Sequence, residues 1–434
     1  MQFIRHWKKF LALALVGLLS SWLISCDSGN NATSNNTSGN TSGSAEVEFW
    51  TMQLSPKFDD YFNMLISEFE AENPGTTVNW VDVPWADMET KILAAVSAGN
   101  APDVVNLNPN FASQLATKGA WLTLDDKLSD EDKAVYLPKI FEATQLHGDS
   151  FGFPWYLTAR GTLYNTDIFE AAGVAEPPAT FEELATVAKQ IKDETGKYAF
   201  FISFVPEDAA DVLQSYVQKG VPLVAAAANA PFTAPEGKAV FQYWADLYQQ
   251  ELLPREVLTQ GHQQAIQLYQ SGQTAILASG AEFLSSIETN APDIAAATQS
   301  APQISGSTGK KNVAAMDLVI PKSTDVEEAA LKFATFVTND ENQLAFAKEA
   351  NVLPSTVYAI ADSYFSVLPE SASPVEVARG VSAGQLEFAA GLIPAMEDVK
   401  VLQKAIYDNL QAAMLGDKTV DQAVADAADE WNNR

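Results

Sequence analysis

The sequence predicts an α/β fold in two lobes. Three observations carry that prediction. Residues 46–107 alternate strand, helix, strand, helix, strand, the pattern of a doubly wound α/β unit. A second alternation of helical periodicity with short apolar runs begins near Thr180 and continues to Ile320. The strands so counted are too many for one sheet with short connections, so a body of this length divides into lobes.

In chain order, the first feature is an address. Arg5, Lys8 and Lys9 form a basic region, residues 10–24 an apolar stretch, and Ser25 precedes Cys26, the single cysteine among 434 residues. This reads as an export signal over 1–25, and Leu23-Ile24-Ser25-Cys26 resembles a bacterial lipobox, which implies acylation of Cys26 and a membrane anchor. A lone cysteine forms no intrachain disulfide, and lipidation accounts for its presence. More than one acyl chain would hold the protein stably at a membrane. From 26 to 45 the chain is Asn, Ser, Thr and Gly with almost nothing apolar, a flexible tether with a root-mean-square reach of about 25 Å.

The folded part opens with a strand at 47–51. A helix follows in which Phe58, Tyr61, Phe62, Leu65, Ile66 and Phe69 recur at helical spacing, with Pro56 at its first position and Asn73-Pro74-Gly75 as its stop. A strand at 77–83, a helix at 84–97 ended by Gly99, and a short apolar strand at 103–107 complete the first alternation. Further on, Thr180 and Glu183 spell a capping box for a helix through Glu194 closed by Gly196. Residues 198–204 read as a strand, 237–251 and 261–271 as helices, 274–279 and 313–320 as strands. A mainly helical tail follows, its last segment capped by Thr419 and Gln422.

The runs Pro102-Asp103-Val104-Val105, Phe153-Pro154-Trp155-Tyr156 and Leu163-Tyr164-Asn165-Thr166-Asp167-Ile168-Phe169 with Ala172-Gly173 together resemble the family 1 extracellular solute-binding proteins, the maltose-binding-protein-like group of ABC-type sugar importers. Pro177-Pro178-Ala179-Thr180-Phe181-Glu182-Glu183-Leu184, Gly272-Gln273-Thr274-Ala275-Ile276 and Ile320-Pro321-Lys322-Ser323 add to the likeness, in the family's order. Thr162 and Ala171 depart from its pattern. The resemblance implies a two-lobed periplasmic-binding-protein-like (type II) fold with the ligand cleft between lobes, 46–156 plus 314–357 being lobe 1 and 157–313 plus 358–434 lobe 2. It also implies hinges near 155–158, 313–317 and 352–355. The expected protein is an extracytoplasmic or periplasmic monomer, anchored through Cys26, that delivers a mono-, di- or oligosaccharide to permease subunits.

A pyranose offers an apolar C–H face and a rim of hydroxyls, so its site asks for flat aromatics and for Asn, Gln, Asp, Glu or Arg. Trp50 ends the first strand, Trp85 follows Pro84 at a strand-to-helix junction, and Trp155-Tyr156 sits at the implied crossing. Gln53, Asn106, Asn108 and Asn110 follow strand ends in the first lobe; Ser279 and Glu282, with Phe283, follow one in the second. By the resemblance, Glu282 stands where the family has a sugar-stacking aromatic. Asp317 falls in the second crossing. Arg160 and Arg379 could grip hydroxyls or pair with acids, while Asp103 is expected to satisfy backbone amides.

Other classes find little support. A net charge of −29 repels phosphate backbones, so no nucleic acid is expected. Beyond the signal the histidines are His147 and His262, without metal-ligand spacing, and no Gly-x-Ser-x-Gly elbow occurs. Gly306-Ser307-Thr308-Gly309-Lys310-Lys311 is superficially similar to a phosphate loop, but Ile304 replaces its first glycine and Lys311 its Ser or Thr. No catalytic residue, metal or cofactor is therefore expected. The alternatives are a glycerol-phosphate, polyol or compatible-solute binder of the same architecture, or a carbohydrate-active enzyme, for which nothing selects a pair among 55 acids.

Overall fold

The computed structural model describes residues 44–434 apart from 207–209, 224–229 and 397. The expected signal, Cys26 and all but the last two residues of the tether lie outside the described residues. Among those described, no helix is long and apolar enough to cross a membrane.

Strand Ala45–Met52 alternates outward polar groups with buried Val47 and Phe49, then stays buried to its end. It pairs in parallel with Thr76–Val83 along its length, Ala45 opposite Thr76 and Met52 opposite Val83. On its other side it pairs in parallel with Val104–Leu107, Phe49 opposite Val104. Helices Asp59–Glu72 and Trp85–Ala98 make the two crossovers, the second stopped by Gly99 in the left-handed region at φ 71°. Parallel strands end at a common edge, which is where such sheets place ligands. Pro56 does not open its helix: the Ser55-Pro56 peptide is cis. Phe58 N donates to the Leu54 carbonyl (3.0 Å) across that turn, and the helix begins at Asp59.

This sheet has six strands, in the order Leu353–Pro354, Phe153–Thr158, Ala314–Val319, Val104–Leu107, Ala45–Met52, Thr76–Val83. Phe153–Thr158 and Ala314–Val319 run antiparallel, Ala314 opposite Thr158 and Leu318 opposite Phe153, with a bulge between Met316 and Asp317. Leu353 pairs with Leu157. All three segments expected as hinges therefore lie side by side at one end of the sheet.

The second sheet is smaller. Gly161–Asn165 is its centre, antiparallel to Ile276–Ser279 and to Thr298–Ala301. The strand expected at 198–204 does not form. Tyr198 makes an isolated bridge with Thr274, and Ala199 O accepts from Ile276 N (2.7 Å), but Phe204 N then turns away to the Val257 carbonyl (2.8 Å). Phe200, Phe201 and Phe204 are nonetheless buried, so the apolar run reports burial and not pairing. Local signals fare better. Thr180 caps helix Phe181–Thr195 through a reciprocal box with Glu183, and Gly196 ends it at φ 70°. Thr419 and Gln422 do the same for Val420–Asn432.

The described residues form one connected unit built on two hydrophobic cores. The first packs Phe49, Phe62, Trp155, Phe333 and Phe346, with Phe62 stacked on Trp80 at 4.5 Å and Trp155 on Phe346 at 4.9 Å. The second packs Phe181, Phe204, Trp244, Leu284, Ile406 and Trp431. Each fully buried side chain of this size contributes about 1.5–3 kcal/mol. The chain passes from the first core to the second between Ala159 and Leu163. The fold is thus two-lobed, and the strands expected to cross between lobes belong to the first sheet and its core.

Candidate functional site

The site begins where the parallel strands of the first lobe end. Gln53 is exposed and held in the left-handed region at φ 54°. Its side-chain carbonyl accepts from the backbone N–H of Trp85 at 3.3 Å. Trp85, the first residue of its helix, is 45% exposed, a large apolar face turned to solvent. Beside it, Asp82 Oδ1 accepts from Thr51 Oγ1 (2.7 Å) and Leu54 N (2.9 Å), which fixes the carboxylate. Asn108 caps helix Pro109–Ala116 by accepting from Phe111 N at 2.9 Å, and Asn110 is exposed in the first turn.

The second lobe supplies the other wall. Ser279 ends its strand at 1% exposure, with Oγ lacking a hydrogen-bond partner among the described residues. Gly280 then begins helix Ala281–Asn290. The half-buried Glu282 folds back over that terminus, accepting from backbone N–H groups of Gly280 and itself. Burial raises its carboxyl above the ordinary range, against these amides and the Arg160 guanidinium, which pull it down. Arg160 pairs with Asp211 at 3.1 Å. The pair lines a cavity of about 100 Å³ walled by Phe181, Phe200, Ser203 and Trp244.

Tyr156 feels a carboxylate from each wall. It lies on a crossing strand, 8% exposed, and burial followed by the fields of Asp82 and Glu282 pushes its phenol up, so it stays a neutral donor. One carboxylate comes from each lobe. Asp317, on the neighbouring strand, is 3% exposed, and burial pushes its carboxyl well above the usual carboxylate range. Its Oδ1 and the Oδ1 of Asn106 lack hydrogen-bond partners among the described residues, and Asn106 Nδ2 reaches the Asp317 carbonyl at 3.5 Å.

Several expected site residues serve elsewhere. Trp155 is fully buried, stacked on Phe346 and edge-on to Tyr156 at 5.0 Å, because its strand is covered on both faces. Trp50 is 7% exposed, its indole donating to Glu48 at 2.6 Å and its face covered by the Lys91 ammonium at 4.1 Å. Arg379 is buried: Nε donates to the Tyr364 carbonyl (2.9 Å) and the guanidinium stacks on the Tyr364 ring at 3.6 Å. Phe283 packs against the second core with its edge to His262 at 6.0 Å. Asp103 accepts from Glu48 N (2.8 Å) and Thr324 Oγ1 (2.6 Å), the structural role expected of it. Sequence reasoning passed over Asp82 and Asp211, although Asp82 lies opposite Thr51, near the strand end that Gln53 follows.

The site offers neutral and anionic oxygens, a phenol and one exposed indole. Among the described residues no group of three or more His, Cys, Asp or Glu side chains is placed to hold a metal. Comparison with known proteins agrees with the fold. Residues 55–344 match the family model described as bacterial extracellular solute-binding protein. A protein of Synechococcus sp. MITs9220, assigned as a periplasmic oligosaccharide binder and crystallised with and without zinc, is 44% identical, with a TM-score of 0.84 over 89% of this chain and 98% of that one. The arabinooligosaccharide-binding protein of Halalkalibacterium halodurans is 25% identical over 69% of this chain and 68% of its own. The GacH receptor of Streptomyces glaucescens, 20% identical, shares the fold with a TM-score of 0.74 over 90% of this chain and 98% of that one.

Proposed function

The chain belongs to the bacterial extracellular solute-binding protein family, and on that premise we propose that it captures a carbohydrate, an oligosaccharide foremost, between its lobes and delivers it to the membrane permease of an ABC-type importer. The observation that carries this reading is that Tyr156 lies within electrostatic reach of two carboxylates, Asp82 of the first lobe and Glu282 of the second. Such an arrangement contacts a ligand from both sides only when the lobes are together, so the ligand stabilises closure. Trp85 supplies an apolar face and Gln53, Asn110 and Ser279 further hydroxyl partners. The ligands named for the Synechococcus and Halalkalibacterium relatives support the class.

A polyol phosphate fits less well. Asp82 and Glu282 would repel its dianion, and Arg160, the cation beside them, is committed to Asp211. The lobe limits follow as part of the same reading, 46–156 plus 314–357 and 157–313 plus 358–434. Core membership supports them except at Leu157, Ala159, Val313, Phe365 and Ala389, which pack with the first core. Acylation of Cys26, a monomeric state and a purely binding role belong to the proposal too, the first on the sequence around Ser25-Cys26.

Titration of tryptophan fluorescence with maltotriose, arabinotriose, diacetylchitobiose and glycerol 3-phosphate tests it. Saturable binding of a saccharide, recovered uncleaved, is expected, together with a smaller scattering radius at saturation. Binding of the phosphate alone, or turnover of the sugar, would overturn the reading.

A further inference from the structure

Helix Val399–Met414 packs into the second core through Leu402, Ile406 and Leu410. Helix Trp85–Ala98 packs into the first core through Met88, Ile92 and Ala95. Lys400, in the first turn of the former, forms an ion pair with Glu89 of the latter, 311 residues away in sequence. Its ammonium also lies 5.9 Å from the ring centre of Phe111, on a third helix, Pro109–Ala116, of the first lobe.

Among the described residues, the acid that pairs with Lys400 is Glu89, from another helix. A cation in the first turn faces the positive end of the helix macrodipole and is disfavoured there. The adjacent acid, Asp398, is held by Arg434 at 3.3 Å. Glu89 lies one turn beyond Trp85 on the same helix.

We propose that Lys400 and Glu89 form a latch between the lobes: they meet when the cleft is closed, separate when it opens, and so set the closing equilibrium without touching the ligand. The inference rests on the cleft reading above but concerns residues outside the ligand site. Both side chains are partly exposed, 52% and 27%, so the pair is a modest and salt-sensitive contribution. It is strong enough to tune closure and weak enough to let the cleft reopen.

Lys400→Gln, Glu89→Gln, the double variant and the charge exchange Lys400→Glu with Glu89→Lys test the latch. The probe is the tightest binder among maltotriose, arabinotriose and diacetylchitobiose. Each single variant is expected to weaken affinity about two- to fivefold, which corresponds to the worth of an exposed ion pair. The double variant should lose no more than either single one, and the exchange should recover most of the loss. Raising salt should weaken the parent and leave Lys400→Gln unmoved. Ligand-free scattering provides a separate arm: the single variants, and the parent in high salt, should have the larger radius. If no sugar binds, the functional reading fails and the scattering arm still decides the latch. Parent-like affinity, salt response and radius in the single variants would overturn it.

Discussion

A Cβ on Gly280 would stand 2.1 Å from Oε2 of Glu282. The bare glycine lets the carboxylate fold back over the helix terminus it caps. Gly280→Ala should therefore expel the carboxylate and leave the strand and helix in place, since the obstructing group is the far end of a flexible side chain. Saccharide affinity is expected to fall about tenfold, the worth of a charge-assisted hydrogen bond or two. The melting temperature should stay within a few degrees of the parent. Titration and thermal melts of the same sample check both.

Acid should relieve the cost that two buried carboxyls impose on this fold. Burial raises the carboxyls of Asp317 and Glu282 in the folded state. A raised acid favours the fold most below its unfolded pKa, and that contribution is lost as pH climbs through the folded value. Asp317→Asn removes the larger cost by keeping the shape without a charge. Its melting temperature is expected to exceed the parent's at pH 7–8 and converge with it near pH 4. A constant difference across that range would contradict the assignment to Asp317.

Arg379 tests a different distinction, between a buried cation that serves the fold and one that serves the ligand. It stacks on Tyr364 and donates to the carbonyl of the same residue. Arg379→Ala is expected to cost about 2–3 kcal/mol of stability through lost stacking and a lost charged hydrogen bond. Sugar affinity at a temperature where the variant is folded should be unchanged. Arg379→Lys recovers only part of the loss, because an ammonium cannot stack as the planar guanidinium does.

How much of this was legible in the sequence depended on range. The box of Thr180 with Glu183, the stop at Gly196 and the first three strands are written in neighbouring residues, and the structure repeats them. Tyr198–Phe204 failed because a strand needs a partner, and its apolar run carries no record of one. Asp82 was passed over because an acid on an alternating strand reads as solvent-facing until the strand's end is known. Glu89 and Lys400 could not be joined at all across 311 residues. The aromatics show the limit most sharply, since periodicity says that a tryptophan is on a strand end or a crossing but not which way it faces.

Trp85 and Trp155 convert that limit into a measurement. Trp155 is fully buried within the ring cluster of the first core, and Trp85 is 45% exposed beside Gln53 and Asp82. Truncating the first removes a close-packed ring and leaves a cavity, at about 3–5 kcal/mol. Truncating the second removes a surface that packs against little, within about 0.5 kcal/mol. Trp155→Ala should therefore lower the denaturation midpoint steeply, and Trp155→Phe less so, with affinity retained in the folded fraction. Trp85→Ala should leave the midpoint unmoved, reduce saccharide affinity and abolish most of the ligand-induced fluorescence change. If the two variants exchanged these effects, the indole that meets the ligand would be the crossing-strand tryptophan, and the wall built from the first lobe would have to be redrawn around it.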